Sequence, residues 1–184
     1  AGTETREPDS DQWGRYPQTQ GFFMMAWDVK LGSGKCMGGW YDPYTTTPAT
    51  YLEQARQTIL GGAKESMLFC YQALSKEQPG IEDIQALRTE RLGLERLAYL
   101  TENKHIVGVS VPKKPNSDAE EEQYMSSFYG MLGIPVNPEV TLDENAPSVL
   151  LGMQAQGFSG VRDYVIRLRE RGTAFGFSEA FLRH

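Results

Sequence analysis

Apolar and polar positions along the chain fall into short blocks separated by turn residues. The opening is polar and broken by Pro8, Gly14 and Pro17. It reads as an extended or disordered lead-in over residues 1–20. The run Phe22-Phe23-Met24-Met25-Ala26-Trp27 is short and continuous, which predicts a buried strand ending at Asp28. Leu31 to Thr46 is glycine-rich, carries Trp40-Tyr41-Asp42-Pro43-Tyr44, and reads as one long loop; loops of that length usually have a function. Thr47-Pro48 supplies a hydroxyl N-cap and a first-turn proline. The helix it starts has Leu52, Ala55 and Ile59 on one face and stops at Gly61-Gly62. Ser66 to Tyr71 is a second apolar run and predicts a strand covered on both sides. Pro79-Gly80 then turns the chain into a helix from Ile81 to about Glu102, with Ile84, Leu87, Leu94 and Ala98 inward.

Past a joint at Asn103-Lys104 the alternation repeats. Ile106 to Val111 predicts a strand. Ser117-Asp118-Ala119-Glu120 is a capping box for a helix that buries Tyr124, Met125, Phe128 and Leu132 and ends at Gly133. A short strand near Pro135-Val136 and another over Ser148–Met153 follow. A helix marked by Val161, Val165 and Leu168 then stops at Gly172, before a last strand near Thr173–Phe177. Strands and helices alternating with short joints predict an α/β fold with a parallel sheet. The expected organisation is a lead-in over 1–20, βα units over 21–103 and a second α/β domain over 104–184.

Charge and cysteine usage narrow the partners. The net charge is −6 and no basic stripe appears, which argues against nucleic acid, since phosphates need clustered Lys and Arg. No apolar run approaches the roughly 20 residues of a spanning helix. Cys36 and Cys70 form no CxxC and only His105 and His184 supply imidazole. Two buried free thiols and no metal or other cofactor are therefore expected. No signal peptide is visible, and the chain opens on Ala1 rather than Met, so a leader or a further upstream region is expected to precede it.

Candidate chemistry concentrates in one stretch. Trp27 and Asp28, with Trp40, Tyr41, Asp42 and Tyr44, place aromatic planes and carboxylates after a predicted buried strand, where parallel α/β proteins carry their sites. Rings stack on the C–H faces of a sugar while acids accept from its hydroxyls. The same residues also suit a loop packed over a sheet edge. Glycoside hydrolysis needs two carboxylates about 5–10 Å apart, and Asp28 and Asp42 are the two nearby. Gly32-Ser33-Gly34-Lys35-Cys36 fails as a phosphate loop, because Val29 and Cys36 stand where Gly and Ser or Thr are required. Lys113, Lys114 and Ser117 lead toward the predicted helix start and offer a weak anion site, or simply a rigid turn. No nucleophile elbow exists, since Gln154-Ala155-Gln156-Gly157 holds neither Ser nor Cys.

Two groups of segments resemble a known family. Gly39 to Tyr44 with Thr47 to Arg56, and Glu65 to Tyr71, resemble the last strands and helices of a TIM-barrel glycoside-hydrolase-like protein. Val111 to Ser117 with Gly130 to Pro135 is similar to the glutamine-amidotransferase-like, flavodoxin-like domain that follows such barrels in β-galactosidase-type enzymes. The resemblance implies barrel-derived βα units followed by an incomplete wound domain. A barrel alone takes about 250 residues, so it further implies a fragment of a larger polypeptide. The implied role is a non-catalytic portion of a carbohydrate-active protein that contributes sugar contacts and assembly, with a homo-oligomer as a possible partner. Amidotransferase activity does not carry over, because the elbow cysteine and its His–Glu pair are missing. The alternatives are a self-standing assembly module without ligand and a small-molecule sensor.

Overall fold

The computed structural model describes residues 2–3, 16–76, 80–119 and 122–183; most of the predicted lead-in, Pro79 and Glu120 lie outside them. The chain is α/β with two parallel sheets and divides into two units, Ala1–His105 and Ile106–His184.

In the first unit, α1 spans Gln20–Leu31, β1 Gly38–Tyr41, α2 Pro48–Leu60, β2 Glu65–Leu68, α3 Tyr71–Lys76 and α4 Gly80–Thr101. β1 and β2 pair in parallel, Gly38 opposite Glu65 through Tyr41 opposite Leu68. Gly2 adds a parallel bridge to Trp40, so the start of the chain lies along β1.

The expected strand at Phe22–Trp27 is a helix. Its residues are mostly unbranched at Cβ, which suits a helix better than a pleated strand. Its N-cap, Thr19, makes no side-chain cap bond. The missing acceptor comes from α2, where Gln57 Oε1 takes the amide of Phe22 at 3.0 Å and Gln57 Nε2 donates to the carbonyl of Gln18 at 2.5 Å. This cap is tertiary, so no local signal announces it.

The expected long loop contains β1. Gly38 and Gly39 make the segment look like a turn, yet Gly38 is demanded by packing: a Cβ there would sit 2.2 Å from the carbonyl oxygen of Glu65. The second strand is shorter than expected and is not covered, since all four residues of β2 are exposed, with Met67 59% exposed. Tyr71 begins α3 rather than ending a strand.

α2 begins as its sequence dictates. Thr47 Oγ1 accepts from the Thr50 amide and Thr50 Oγ1 accepts from the Thr47 amide, with Pro48 in the first turn. Its inner face differs from the expected Leu52–Ala55–Ile59 stripe. Gln54, Gln57 and Thr58 are buried together with Tyr51, Leu52 and Ala55. α4 packs Ile84, Leu87 and Leu94 against the Tyr41–Tyr51–Ala55–Leu74 core. Ala98 is exposed, as are Leu92, Tyr99 and Leu100.

The second unit holds β3 (Val109–Pro112), α5 (Met125–Met131), β4 (Val136–Glu139), β5 (Ser148–Leu151), a 3-10 turn at Met153–Ala155, α6 (Val161–Glu170), β6 (Ala174–Phe177) and α7 (Glu179–Arg183). Its sheet runs β4-β3-β5-β6 with every pair parallel. Val149 and Leu151 alternate onto one face and meet Tyr164 and Leu168 of α6 and Phe181 of α7. The Tyr164 hydroxyl donates to the carbonyl of Asp143 at 2.8 Å, so the core phenol is satisfied, and burial pushes its pKa up to about 12.

Ser117, Asp118 and Ala119 of the predicted capping box are not helical, and Glu120 lies outside the described residues. The Ser117 hydroxyl donates backwards to the carbonyl of Lys114 at 2.5 Å, a turn bond that competes with capping. The α-helix α5 starts later, with Tyr124 as an N-cap that makes no side-chain cap bond. Phe128 and Leu132, expected inside, are exposed, and Tyr124 and Met125 are half-buried.

Leu151→Ala removes a side chain with no exposed surface from the centre of the second core. It is expected to destabilise by about 2–5 kcal/mol in urea unfolding. The exposed Leu182→Ala is expected to stay within about 0.5 kcal/mol.

Candidate functional site

The alternation of β1 sets the geometry. Tyr41 turns inward and packs edge-to-face on Tyr51, ring centroids 5.3 Å apart. Trp40 turns to the opposite face, 37% exposed, and meets Phe69 edge-on at 5.8 Å. At the carboxyl end of β1 the chain enters the turn Asp42–Thr46. The Asp42 carboxylate accepts the Tyr44 amide at 2.9 Å, an Asx turn. The Asp42 carbonyl accepts Gln54 Nε2 of α2 at 3.0 Å. Tyr44 is 45% exposed, and its hydroxyl lies 3.2 Å from Cys70 Sγ beyond the end of β2. That hydrogen bond lowers the Cys70 thiol pKa.

Thr45 sits in the left-handed region at φ 53°, an outlier for a β-branched residue. Its buried hydroxyl has no partner among the described residues. Strain of this kind persists only where surrounding contacts over-determine the backbone. Here those contacts are Asp42, Gln54 and Thr46.

Beneath the turn lies a cluster of buried polar side chains that the sequence did not single out. Asp83, in the first turn of α4, is 0% exposed. Its Oδ2 is 3.4 Å from the Thr46 hydroxyl, which also lies 2.8 Å from the Pro43 carbonyl. Asp83 Oδ1 and the Tyr51 hydroxyl are buried with no hydrogen-bond partner among the described residues. Burial raises the Asp83 pKa to about 6, with the Thr46 hydroxyl pulling it back and the charge of Glu82 adding to the rise. Burial also pushes the Tyr41 phenol up to about 12. It raises Tyr51 further, helped by the neighbouring Tyr41, Asp83 and Asp42.

The predicted site residues separate into three groups. Trp40, Asp42 and Tyr44 come together at the carboxyl end of β1, with Tyr41 behind them in the core. Trp27 and Asp28 do not join them. They lie in α1, which feeds the amino end of β1 through Gly32–Met37, so Asp28 and Asp42 sit at opposite ends of the strand. Lys113, Lys114 and Ser117 sit at and beyond the carboxyl end of β3. Lys114 Nζ donates to the Gly157 carbonyl, and the nearby Met153 amide is taken by Glu122 Oε2 at 2.7 Å.

Asp83 escaped sequence reading because a lone Asp near a helix start reads as a favourable first-turn charge. Only the fold shows that it is buried. Cys36 and Cys70 are free and half-buried, rather than fully buried as expected. Among the described residues no three His, Cys, Asp or Glu side chains gather as a metal site, and no helix is long and apolar enough to cross a membrane. A second cavity of about 280 Å³ opens in the second unit, lined by Val109, Tyr129, Ile134, Val136, Leu150 and Phe175. It is almost wholly apolar and lies mainly toward the amino ends of the strands.

The chain is therefore an α/β protein of parallel sheets whose polar and aromatic groups converge at the carboxyl end of β1. The family described as "Probable glycosyl hydrolase, catalytic domain" matches residues 1–92, half of the chain and the part that holds this site. The chain belongs to that family. No curated protein and no solved structure matches it.

The buried Asp83 makes a directional prediction. Its pKa is about 6 in the fold against 3.8 ordinarily, so the folded state holds this proton more tightly. Below about pH 4 both states are protonated and no penalty arises. Between about pH 4 and 6 the unfolded chain releases the proton first, and stability falls by up to about 3 kcal/mol before levelling. Asp83→Asn carries no ionisable group, so its stability relative to wild type should rise across that window and plateau above it. Chemical denaturation at a series of pH values measures this; a constant difference refutes it.

Proposed function

We propose that the chain contributes the sugar-side contacts of a carbohydrate-active protein, with Trp40 and Tyr44 as stacking rings, without itself supplying the reacting carboxylate pair. The observation that carries this reading is the pair of exposed rings at the carboxyl end of a parallel strand, in a segment belonging to a glycosyl hydrolase family. An indole and a phenol exposed at the end of one strand suit the alternating C–H and hydroxyl surface of a pyranose. The carboxylates beneath are unsuited to reacting with it. Asp42 is buried and holds the Tyr44 amide, and Asp83 is enclosed. Glycosidic cleavage needs two carboxylates that reach the bond from either side.

The same reading places β1, α2 and β2 as one barrel-type βα unit, with Trp40 facing the barrel interior and Tyr41 the helices. It treats the second unit as a wound domain of the flavodoxin type. The parallel order β4-β3-β5-β6 supports this, since it matches the first four strands of the order 2-1-3-4-5. The link to β-galactosidase-type enzymes and their amidotransferase-like domain belongs to this proposal. Assembly through a homo-oligomer is a second reading, favoured by the fully exposed β2 with Met67 and Phe69 at the surface. A light-scattering mass that grows with concentration supports it, and a constant monomer mass counts against it.

Titration calorimetry with galactosides and other simple sugars tests the first reading. Trp40→Ala should weaken a measured affinity by about 5- to 50-fold, the equivalent of roughly 1–2 kcal/mol for one stacking ring. Unchanged affinity in that variant would mark the aromatic turn as structural.

A further inference from the structure

We propose that the outer edge of β6 is a self-pairing surface: two copies of this chain join through β6 in an antiparallel, twofold arrangement centred on Gly176. β4 and β6 are the two edge strands of the second sheet, and their sequences treat that position differently. In β4 the carbonyls of Pro135 and Glu139 accept from β3 and from Lys113 after it, so Pro138 stands where an amide would face outward. The missing donor and the charge of Glu139 discourage further pairing. From Thr173 to Ser178 the β6 segment has neither proline nor charge. α7 turns inward after it, with Phe181 buried among Val149 and Leu151 and its carbonyl accepting from Gln156.

The backbone fixes which groups the edge offers. The Ser178 amide donates to the Leu151 carbonyl at 2.9 Å. Parallel alternation therefore turns Gly176 toward β5 as well and points the N–H and C=O of Phe175 and Phe177 outward. No described residue bonds these four groups. The Thr173 amide is already taken by the Leu168 carbonyl at 3.0 Å, and Glu179 begins α7. A second β6 satisfies all four groups in one register, with Phe175 of each copy opposite Phe177 of the other. Antiparallel residues placed in this way exchange both bonds, and the twofold makes the two halves identical.

The side chains suit that register. Phe175 and Phe177 pack edge-to-face at 5.3 Å on the face that holds Phe181, and a second copy extends this row with directly opposed aromatic pairs. On the other face Gly176 meets its own counterpart at the closest spacing an antiparallel pair allows. Charge sets the direction. Antiparallel pairing brings Glu179 of each copy toward Arg171 of the other, whereas parallel pairing sets like charges together. The surface is separate from β2, and the proposal does not depend on sugar binding.

A one-strand interface is small, so the mass of the full 184-residue chain is followed by light scattering from about 1 µM to about 1 mM. It should rise toward that of a dimer. Amide hydrogen exchange locates the contact: the Phe175 and Phe177 amides should gain protection with concentration, with the Ser178 amide as the unchanged reference. Gly176→Lys and Gly176→Glu are compatible with the single copy, since among the described residues a Cβ there meets only Leu150 Cδ1, at 3.8 Å. Each sets like charges face to face at the axis and should weaken association at least about tenfold. Mixing the two variants should restore it. A constant monomer mass overturns the proposal. Phe175 and Phe177 amides equally protected at every concentration also overturn it, because the chain then covers its own edge. Association indifferent to both Gly176 variants overturns it too and leaves the β2 reading standing. The wild-type measurements need no variant to fold.

Discussion

Three polar side chains on the inner face of α2 hold the first unit together, because a buried polar group must find a partner. Gln54, Gln57 and Thr58 are all buried, and each reaches a different segment. Gln54 holds the Asp42 carbonyl at the end of β1. Gln57 caps the start of α1. Thr58 shares a 2.6 Å hydrogen bond with Thr3, whose amide in turn donates to Trp40. The start of the chain, the first helix and the aromatic turn are thus registered against one helix by directional bonds. Apolar packing around Tyr41, Tyr51, Ala55 and Leu74 supplies the non-directional part of the stabilisation.

The site follows from that registration. Because β1 is fixed on α2, its alternation sends Tyr41 into the core and Trp40 outward. The turn that follows is bent by the Asp42 side chain and strained at Thr45. Asp83 sits under it as a buried acid. Buried ionisable groups of this sort are more often found at functional positions than in purely structural cores. The family match covers this same half of the chain.

The second unit is also tied by side-chain bonds between distant segments, Glu122 to Met153, Tyr164 to Asp143 and Lys114 to Gly157. Its strands pair in the order β4-β3-β5-β6, its core phenol is satisfied within the unit, and Lys114 after β3 donates to the Gly157 carbonyl. Among its described residues the buried side-chain polar atoms without a hydrogen-bond partner are the hydroxyl of Ser110 and the Nε of Arg167. Arg167 Nε is nonetheless 2.8 Å from the Glu144 carboxylate, an ion pair whose geometry falls short of a hydrogen bond.

Elements whose signals are local were legible in the sequence. The Thr47-Pro48 start and Gly61 stop bound α2, the periodicity of Ile84, Leu87 and Leu94 marks α4, and the α/β alternation with parallel strands follows from short joints. The aromatic turn was legible too, because Trp40, Asp42 and Tyr44 are close in sequence. What the tertiary structure decided was whatever depends on a partner far along the chain. Phe22–Trp27 is apolar enough for either a strand or a helix, and a side chain 35 residues away settles it by capping. Gly38 looks like a loop residue until the backbone of β2 lies against it. Asp28 and Asp42 look like neighbours until a helix and a strand carry them to opposite ends. Asp83 is an ordinary first-turn acid in sequence and a buried, proton-holding one in the fold, because burial belongs to the packed chain and not to the residue.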